Sequence, residues 1–431
     1  MGNCYKLAIA VVVLLFITPL QASEPDSVKA IVGATVVDLD GKESIKDAVV
    51  LIKGERISDI GSADDIDIPA TAEIINAQGM WLIPGLMNMH THPGIVFSGK
   101  MAIELANESE AALALRMAAT ARDILLAGIT TIRIPGDQRH ADFALKKAIA
   151  KGQVIGPRIF TAGESLVITA GHGSEKGQTY SDGPYELMKA ARKQISAGAS
   201  WVKILISGGI STVGTDITKA LMTPEEISAV IDVAHRFGVK VAAHSGSSEA
   251  TSIAVDAGID SIEHGYALDR KVLKKMKKHG TWLVPTILVT QPAMTAFTIE
   301  IGAPPIFLKR RDMVAKHHWK ALQMAIEEGV NIALGTDQAP HWPTDGTTAT
   351  AREAQYYVEA GMTPLQALRA ATIEPAKMLG AEARIGSLAI GKFADILAVP
   401  EDPALSIKAI DNIVLVMKGG TVHVDRLENS N

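Results

Sequence analysis

Met89–His90–Thr91–His92 closes an apolar run near the start of this 431-residue chain and sets two imidazoles two positions apart. Side chains on an extended strand alternate faces, so His90 and His92 are expected to project to the same side. Two imidazoles so placed can chelate one cation. Taken alone, such a pair reads equally well as polar core residues. Lys203 sits inside Trp201–Val202–Lys203–Ile204–Leu205–Ile206. A lysine among apolar neighbours on a buried strand must be neutral or paired, and burial lowers its pKa. A neutral amine can take up carbon dioxide and become a carbamate, an anionic ligand able to bridge two cations; the competing reading is a side chain that reaches solvent at the strand end. Three further apolar runs end at His244, at His264 and at Asp337. Any one of these histidines alone reads as a satisfied core residue. The set of four histidines, one lysine and one aspartate in like positions reads as a metal site with nitrogen and oxygen donors. The remaining histidines lack that setting. His235 and His279 fall in or after helices, His317 and His318 in a helix, and His423 near the C-terminus, while His140 reads as structural.

The elements that must position this set alternate between short apolar runs and helical stretches. The runs are WLIPGLMNMHTH (81–92), TTIRI (130–134), RIFTAG (158–163), WVKILI (201–206), KVAAHS (240–245), SIEHG (261–265), TWLVPTI (281–287) and NIALGTD (331–337). Near-continuous apolar character marks strands covered on both faces of a parallel sheet. Between them, Thr223–Pro224–Glu225–Glu226 and Thr363–Pro364–Leu365–Gln366 carry an N-cap, a proline at the first helical position and a Glu or Gln three residues after the cap. Leu113, Met117, Ala121 and Leu125 form a helical stripe that Gly128 ends. The expectation is an α/β fold, a (β/α)8 TIM barrel over 85–380, with its site at the C-terminal ends of the strands. An open doubly wound sheet is the alternative. Residues 28–84 and 381–425 have β-rich texture and are expected to form one small composite β-sandwich domain.

Composition narrows the function classes. A net charge of −5 without any Lys/Arg-rich block argues against nucleic acid as a partner and leaves a small-molecule substrate. Residues 1–22 read as a signal peptide, one lysine followed by the apolar run Leu7–Ile17 and small residues near Ala22, so an exported, periplasmic or secreted protein is expected. A membrane anchor is the competing reading, although the run is short for a span. After cleavage no stable membrane span remains. Cys4, the single cysteine, precedes the apolar run, so the mature chain has no disulfide and any metal relies on nitrogen and oxygen ligands. A homo-oligomer is left open.

With H-x-H on the first run, Lys on the fourth, His on the fifth and sixth and Asp on the eighth, the sequence resembles the amidohydrolase superfamily over essentially its whole mature length. GPRIFTAG (156–163), ITAGHGS (168–174), GASWVKILISGGI (198–210), SIEHGY (261–266) and EAGMTPLQALRAAT (359–372) resemble the branch of metal-dependent Xaa-Pro dipeptidases and related carboxypeptidases, which shares parts with imidazolonepropionase. The resemblance implies two divalent metal ions, zinc by default. His90, His92 and Asp337 would hold the more buried one, His244 and His264 the other, and carboxylated Lys203 with a hydroxide would bridge them. It also implies that Asp337 moves the proton and that His172 and Tyr266 contact the substrate's carbonyl or carboxylate. The competing readings are a mobile loop histidine for His172 and packing for Tyr266. His92–Pro93–Gly94 and the stretch after Asp337, which contains His341, depart from the branch and put substrate preference in doubt.

The function so implied is hydrolysis of the amide bond of a dipeptide or N-acyl amino acid. Cyclic amide hydrolysis and deamination are the alternatives within the superfamily, and an inactive exported binding barrel is the non-enzyme alternative.

Overall fold

The computed structural model describes residues 28–41, 43–95, 99–173, 180–339 and 341–427. The expected signal peptide, 1–22, lies outside the described residues. The strands in chain order are β1 (Val28–Val36), β2 (Ile45–Lys53), β3 (Arg56–Ser62), β4 (Glu73–Asn76), β5 (Trp81–Pro84), β6 (Leu86–Asn88), β7 (Ile129–Ile134), β8 (Arg158–Thr161), β9 (Trp201–Leu205), β10 (Lys240–Ser245), β11 (Ser261–His264), β12 (Trp282–Val284), β13 (Pro343–Thr344), β14 (Thr347–Thr348), β15 (Ile396–Val399), β16 (Leu415–Lys418) and β17 (Thr421–Asp425).

The two ends of the chain share one eight-stranded sheet, ordered β17-β16-β15-β5-β1-β2-β3 with β4 also paired to β1. Its strands alternate faces as the period of two requires. Ile31, Val50 and Ile52 pack with Ile396 and Met417, while Ala30, Val49 and Leu51 form a separate cluster. Two facing sheets were expected, and hydrogen bonding defines one, because β1 changes partner along its length. Lys29–Val32 pair with β4 and Thr35–Val36 with β5. Gly33, at φ +79°, lies at the change, where a Cβ would sit 3.1 Å from the Cα of Gln78.

The parallel strands lie in a sheet of three, β6-β7-β8, and a sheet of four, β9 to β12, with helices between successive strands. All six residues of β7 and all five of β9 are buried, as a parallel sheet covered on both faces requires. Both capping boxes foreseen at Thr223 and Thr363 are formed. Leu113, Met117, Ala121 and Leu125 are fully buried. Parallel bridges Leu166–Ile204 and Leu283–Ile332 extend the four-stranded sheet at its two edges, β9 and β12, and the Met89 amide donates to the Leu334 carbonyl at 2.7 Å. The run 331–337 supplies a single bridge rather than an eighth strand. Leu334 is hydrogen-bonded to Met89 and, through its own amide, to Ala370, and Asp337 turns out of extended geometry at φ +55°.

The first apolar run also divides. β5 belongs to the terminal sheet and β6 to the parallel strands, with Gly85 between them. A Cβ on Gly85 would fall 2.1 Å from Oγ1 of Thr130, so only glycine lets the chain pass β7 this closely. His90 and His92 follow β6 instead of lying in it, and bends rather than strand alternation set their direction. Among the described residues no helix is long and apolar enough to cross a membrane.

Candidate metal centre

The ends of these strands converge on one cavity that His90, His92, Lys203, His244, His264 and Asp337 all line. Nε2 of His90 and Nε2 of His92 are 3.1 Å apart, and Oδ1 of Asp337 lies 3.3 Å from the first and 3.2 Å from the second. One donor atom each from His90, His264 and Asp337 fall within 4.8 Å of one another. The imidazole of His244 is centred 4.5 Å from that of His264. Lys203 is 2% exposed, and burial lowers its ammonium to a pKa of about 8, against the attraction of Glu263.

Each ring has its orientation fixed from behind. Nδ1–H of His90 donates to Oε2 of Glu263 at 2.7 Å, and Nδ1–H of His92 to the Gly136 carbonyl at 2.5 Å, so both present Nε2 to the cavity. His244 is reversed, its Nε2–H donating to the Gly208 carbonyl at 3.0 Å, which leaves Nδ1 as its donor atom. Nδ1 of His264 pairs with Oγ1 of Thr286 at 2.8 Å. Burial pushes His92 down to about 4 and His244 to about 3, and holds His264 well below the usual imidazole value. All three rings are therefore neutral near pH 7, the form that ligates metal. Burial alone would raise Asp337, but His90 and His92 overturn it and keep the carboxylate ionised.

His264, Thr286 and Asp337 all have left-handed backbone, at φ +67°, +51° and +55°. A non-glycine residue held there costs on the order of 1 kcal/mol, so packing around the cavity must hold these conformations. Part of that packing is visible. The amide of Asp337 donates to the His90 carbonyl at 2.8 Å. The buried carboxyl group of Glu353 accepts the amides of Ile287 and Leu288, both at 2.8 Å, just after Thr286. His318 donates from Nε2 to the carbonyls of His264 and Pro285, at 3.0 and 2.9 Å, and its Nδ1 meets Oγ1 of Thr290 at 2.9 Å.

His172 and Tyr266 line the same cavity. Nδ1 of His172 is 2.7 Å from Oγ1 of Thr212, and its ring is centred 4.3 Å from that of His244. A Cβ at Gly209 would reach the His172 ring at 2.4 Å, so glycine there admits the histidine. Tyr266 stacks on His264, with centroids 5.0 Å apart and planes at 7°. Gly94, one of the departures noted in the sequence, is explained by Asp137. Its amide donates to Oδ2 of Asp137 at 2.9 Å, and a Cβ would lie 2.1 Å from Oδ1. His341 does not line the cavity, whereas its neighbour Trp342 does.

A family model described as Amidohydrolase family matches residues 81–423. The chain is an amidohydrolase. Ochratoxinase of Aspergillus niger is 30% identical over 93% of this chain and 88% of its own length. Its crystal structure covers 93% of this chain and 96% of its own with a TM-score of 0.79. A Xaa-Pro dipeptidase with methionine bound in its active site is 31% identical and covers 92% of this amidohydrolase and 100% of that chain at a TM-score of 0.82. A prolidase complexed with N-methylphosphonate-L-proline is 26% identical and covers 93% and 100% at 0.84. The fold is accordingly the TIM-barrel-based amidohydrolase fold, and the protein is a hydrolase acting on amide or peptide carbon–nitrogen bonds.

The donor chemistry of this amidohydrolase fits divalent cations: imidazoles oriented by hydrogen bonds from behind and an ionised carboxylate converge in a buried pocket. Sequence reasoning passed over three residues that hold this arrangement. Arg133 and Glu263 are fully buried and paired at 2.7 Å, with Arg133 also donating to the Met89 carbonyl at 2.6 Å. Burial would raise Glu263, but Arg133 and His90 hold it far below the ordinary carboxylate range. The signal was there, since each charge interrupts an apolar run just as Lys203 does. His318 was set aside as a helical histidine. It does lie in the helix Pro305–Glu328, yet its ring is buried beneath His264.

Proposed function

We propose that this amidohydrolase cleaves the amide bond of a dipeptide or N-acyl amino acid and releases a free C-terminal amino acid. The observation that carries the reading is the placement of His172 and Tyr266 beside the converging donors in a single cavity. The methionine held by the related dipeptidase and the proline analogue held by the related prolidase support an amino-acid product. In this reading His90, His92 and Asp337 would hold one divalent cation, His244 and His264 would hold a second, and Lys203, once carboxylated, would add an anionic donor. When bound, two such cations, zinc being suited to histidine and carboxylate donors, polarise a carbonyl and acidify water near neutral pH.

The chain's own residues supply the rest. Asp337 accepts the proton of the attacking water and delivers it to the departing amine nitrogen, so that carboxylate and free amine leave as products. Tyr266, whose hydroxyl burial keeps protonated well above the usual range, donates a hydrogen bond. With His172 it stabilises the developing oxyanion or grips the substrate carboxylate. The N-terminal apolar run, read as a signal peptide, supports an exported, periplasmic or secreted enzyme as part of this proposal.

The test is chromatography of amino acids released from a panel of dipeptides and N-acyl amino acids by the metal-supplemented protein. Release of the C-terminal amino acid is expected. Turnover confined to cyclic amides, with no dipeptide or N-acyl amino acid cleaved, would overturn the reading.

A further inference from the structure

Beyond the donor cluster, the cavity is walled by the chain that follows β12. Met294 and Ile301 are buried against it, and the ring of Phe297 meets that of Trp342 with centroids 4.6 Å apart and planes at 46°. On the Tyr266 side, Ile210, Val289 and Phe307 form a second apolar face in one cluster with the tyrosine. Among the described lining residues, ionisable side chains are confined to the six donors, His172 and Tyr266. The nearby guanidinium of Arg310 is engaged elsewhere, donating to the carbonyls of Gly209, Ile210 and Thr215 at 2.7 to 3.1 Å. Thr298, a polar group in the wall, turns its hydroxyl back to the Met294 carbonyl at 2.7 Å.

We propose that the amide this enzyme cleaves carries an uncharged apolar or aromatic side chain, received by the wall of Met294, Phe297, Ile301 and Trp342. The inference rests on the amide-hydrolase reading above and adds the substrate's side-chain class. A charged side chain seated there would lose its water and find no counter-charge among the described residues of the wall, a cost that an apolar one avoids. Burying a leucine or phenylalanine side chain contributes enough to raise affinity by about tenfold or more. Phe297 and Trp342 are then the specificity-determining residues, because their paired rings make the aromatic part of the wall.

Calorimetric titration of the metal-supplemented full chain tests this with two ligand series. In the first, free L-phenylalanine and L-leucine are compared with L-arginine and L-aspartate as product ligands. In the second, phenylacetamide and isovaleramide are compared with the charged amides glutaramate and 4-guanidinobutanamide. The apolar members should bind about tenfold or more tightly than the charged ones. Phe297→Ala and Trp342→Ala should each erase most of that preference, and Phe297→Leu should retain it for leucine. Equal binding of charged and apolar members, an unchanged preference in both alanine variants, or no apolar binding in either series would overturn the proposal. Binding of the apolar amides without any amino acid would sustain this inference while counting against the dipeptide reading, which keeps the two failures apart.

Discussion

The carboxylate of Glu263 accepts Nδ1–H of His90 at 2.7 Å, and the very next residue, His264, faces the same donor cluster. One short strand end therefore supplies a donor and orients another that is distant in sequence. The same Glu263 oxygen receives Arg133 at 2.7 Å, so His90 is held by a fully buried ion pair. Carboxylates of this kind set the tautomer of a ligating histidine, and their removal typically lowers metal affinity about 10–100-fold.

Glu263→Gln should thus bind metal about 10–100-fold more weakly. It should also lose on the order of 3–5 kcal/mol of stability, because Arg133 is left buried without its counter-charge. Chelator competition reads the first and denaturant melts the second. Adding Arg133→Met should recover stability but leave metal affinity low. Recovery of both together would reduce Glu263 to a structural role.

Lys203→Ala should lose metal and activity, with partial recovery when short carboxylic acids are supplied to stand in for the carbamate. Metal analysis with and without propionate checks it. A variant that holds its full metal complement without the acid would remove Lys203 from the site.

Asp337→Asn should keep the fold and lower turnover by roughly 10²–10⁴-fold, the usual contribution of a positioned proton carrier. Circular dichroism and single-turnover hydrolysis measure the two. Wild-type-like turnover would take the proton-transfer role away from Asp337.

Glu353 makes stability depend on pH. Burial raises its carboxyl from 4.5 to about 8, against the two amides it accepts. Below about pH 4.5 both folded and unfolded chains carry the proton. Between there and about pH 8 the unfolded chain loses it first, so this residue's contribution is full at low pH and is lost as pH rises. Melting of Glu353→Gln should fall less steeply between pH 5 and pH 8 than that of the wild type. Parallel slopes would show that Glu353 is ionised in the fold.

Polar residues at the ends of apolar runs made the donor set legible in the sequence, because a strand buried on both faces has no structural use for them. The same logic applied to Arg133 and Glu263, but these charges satisfy each other and so resemble ordinary packing until their partners are known. Backbone geometry was not legible. No pattern announces that His264 and Asp337 adopt left-handed φ, or that Gly85 splits the first run between two sheets. Those features arise from close approach between distant segments, as between Gly85 and Thr130. His318 was missed for a similar reason, since helical periodicity marks a buried face without naming what lies against it.

The central claim is that these converging side chains hold divalent metal, and metal content of the purified protein tests it most directly. The account predicts about two ions per chain, lost in parallel with activity on dialysis against a chelator. A folded protein that takes up no metal even with zinc and bicarbonate supplied would contradict it.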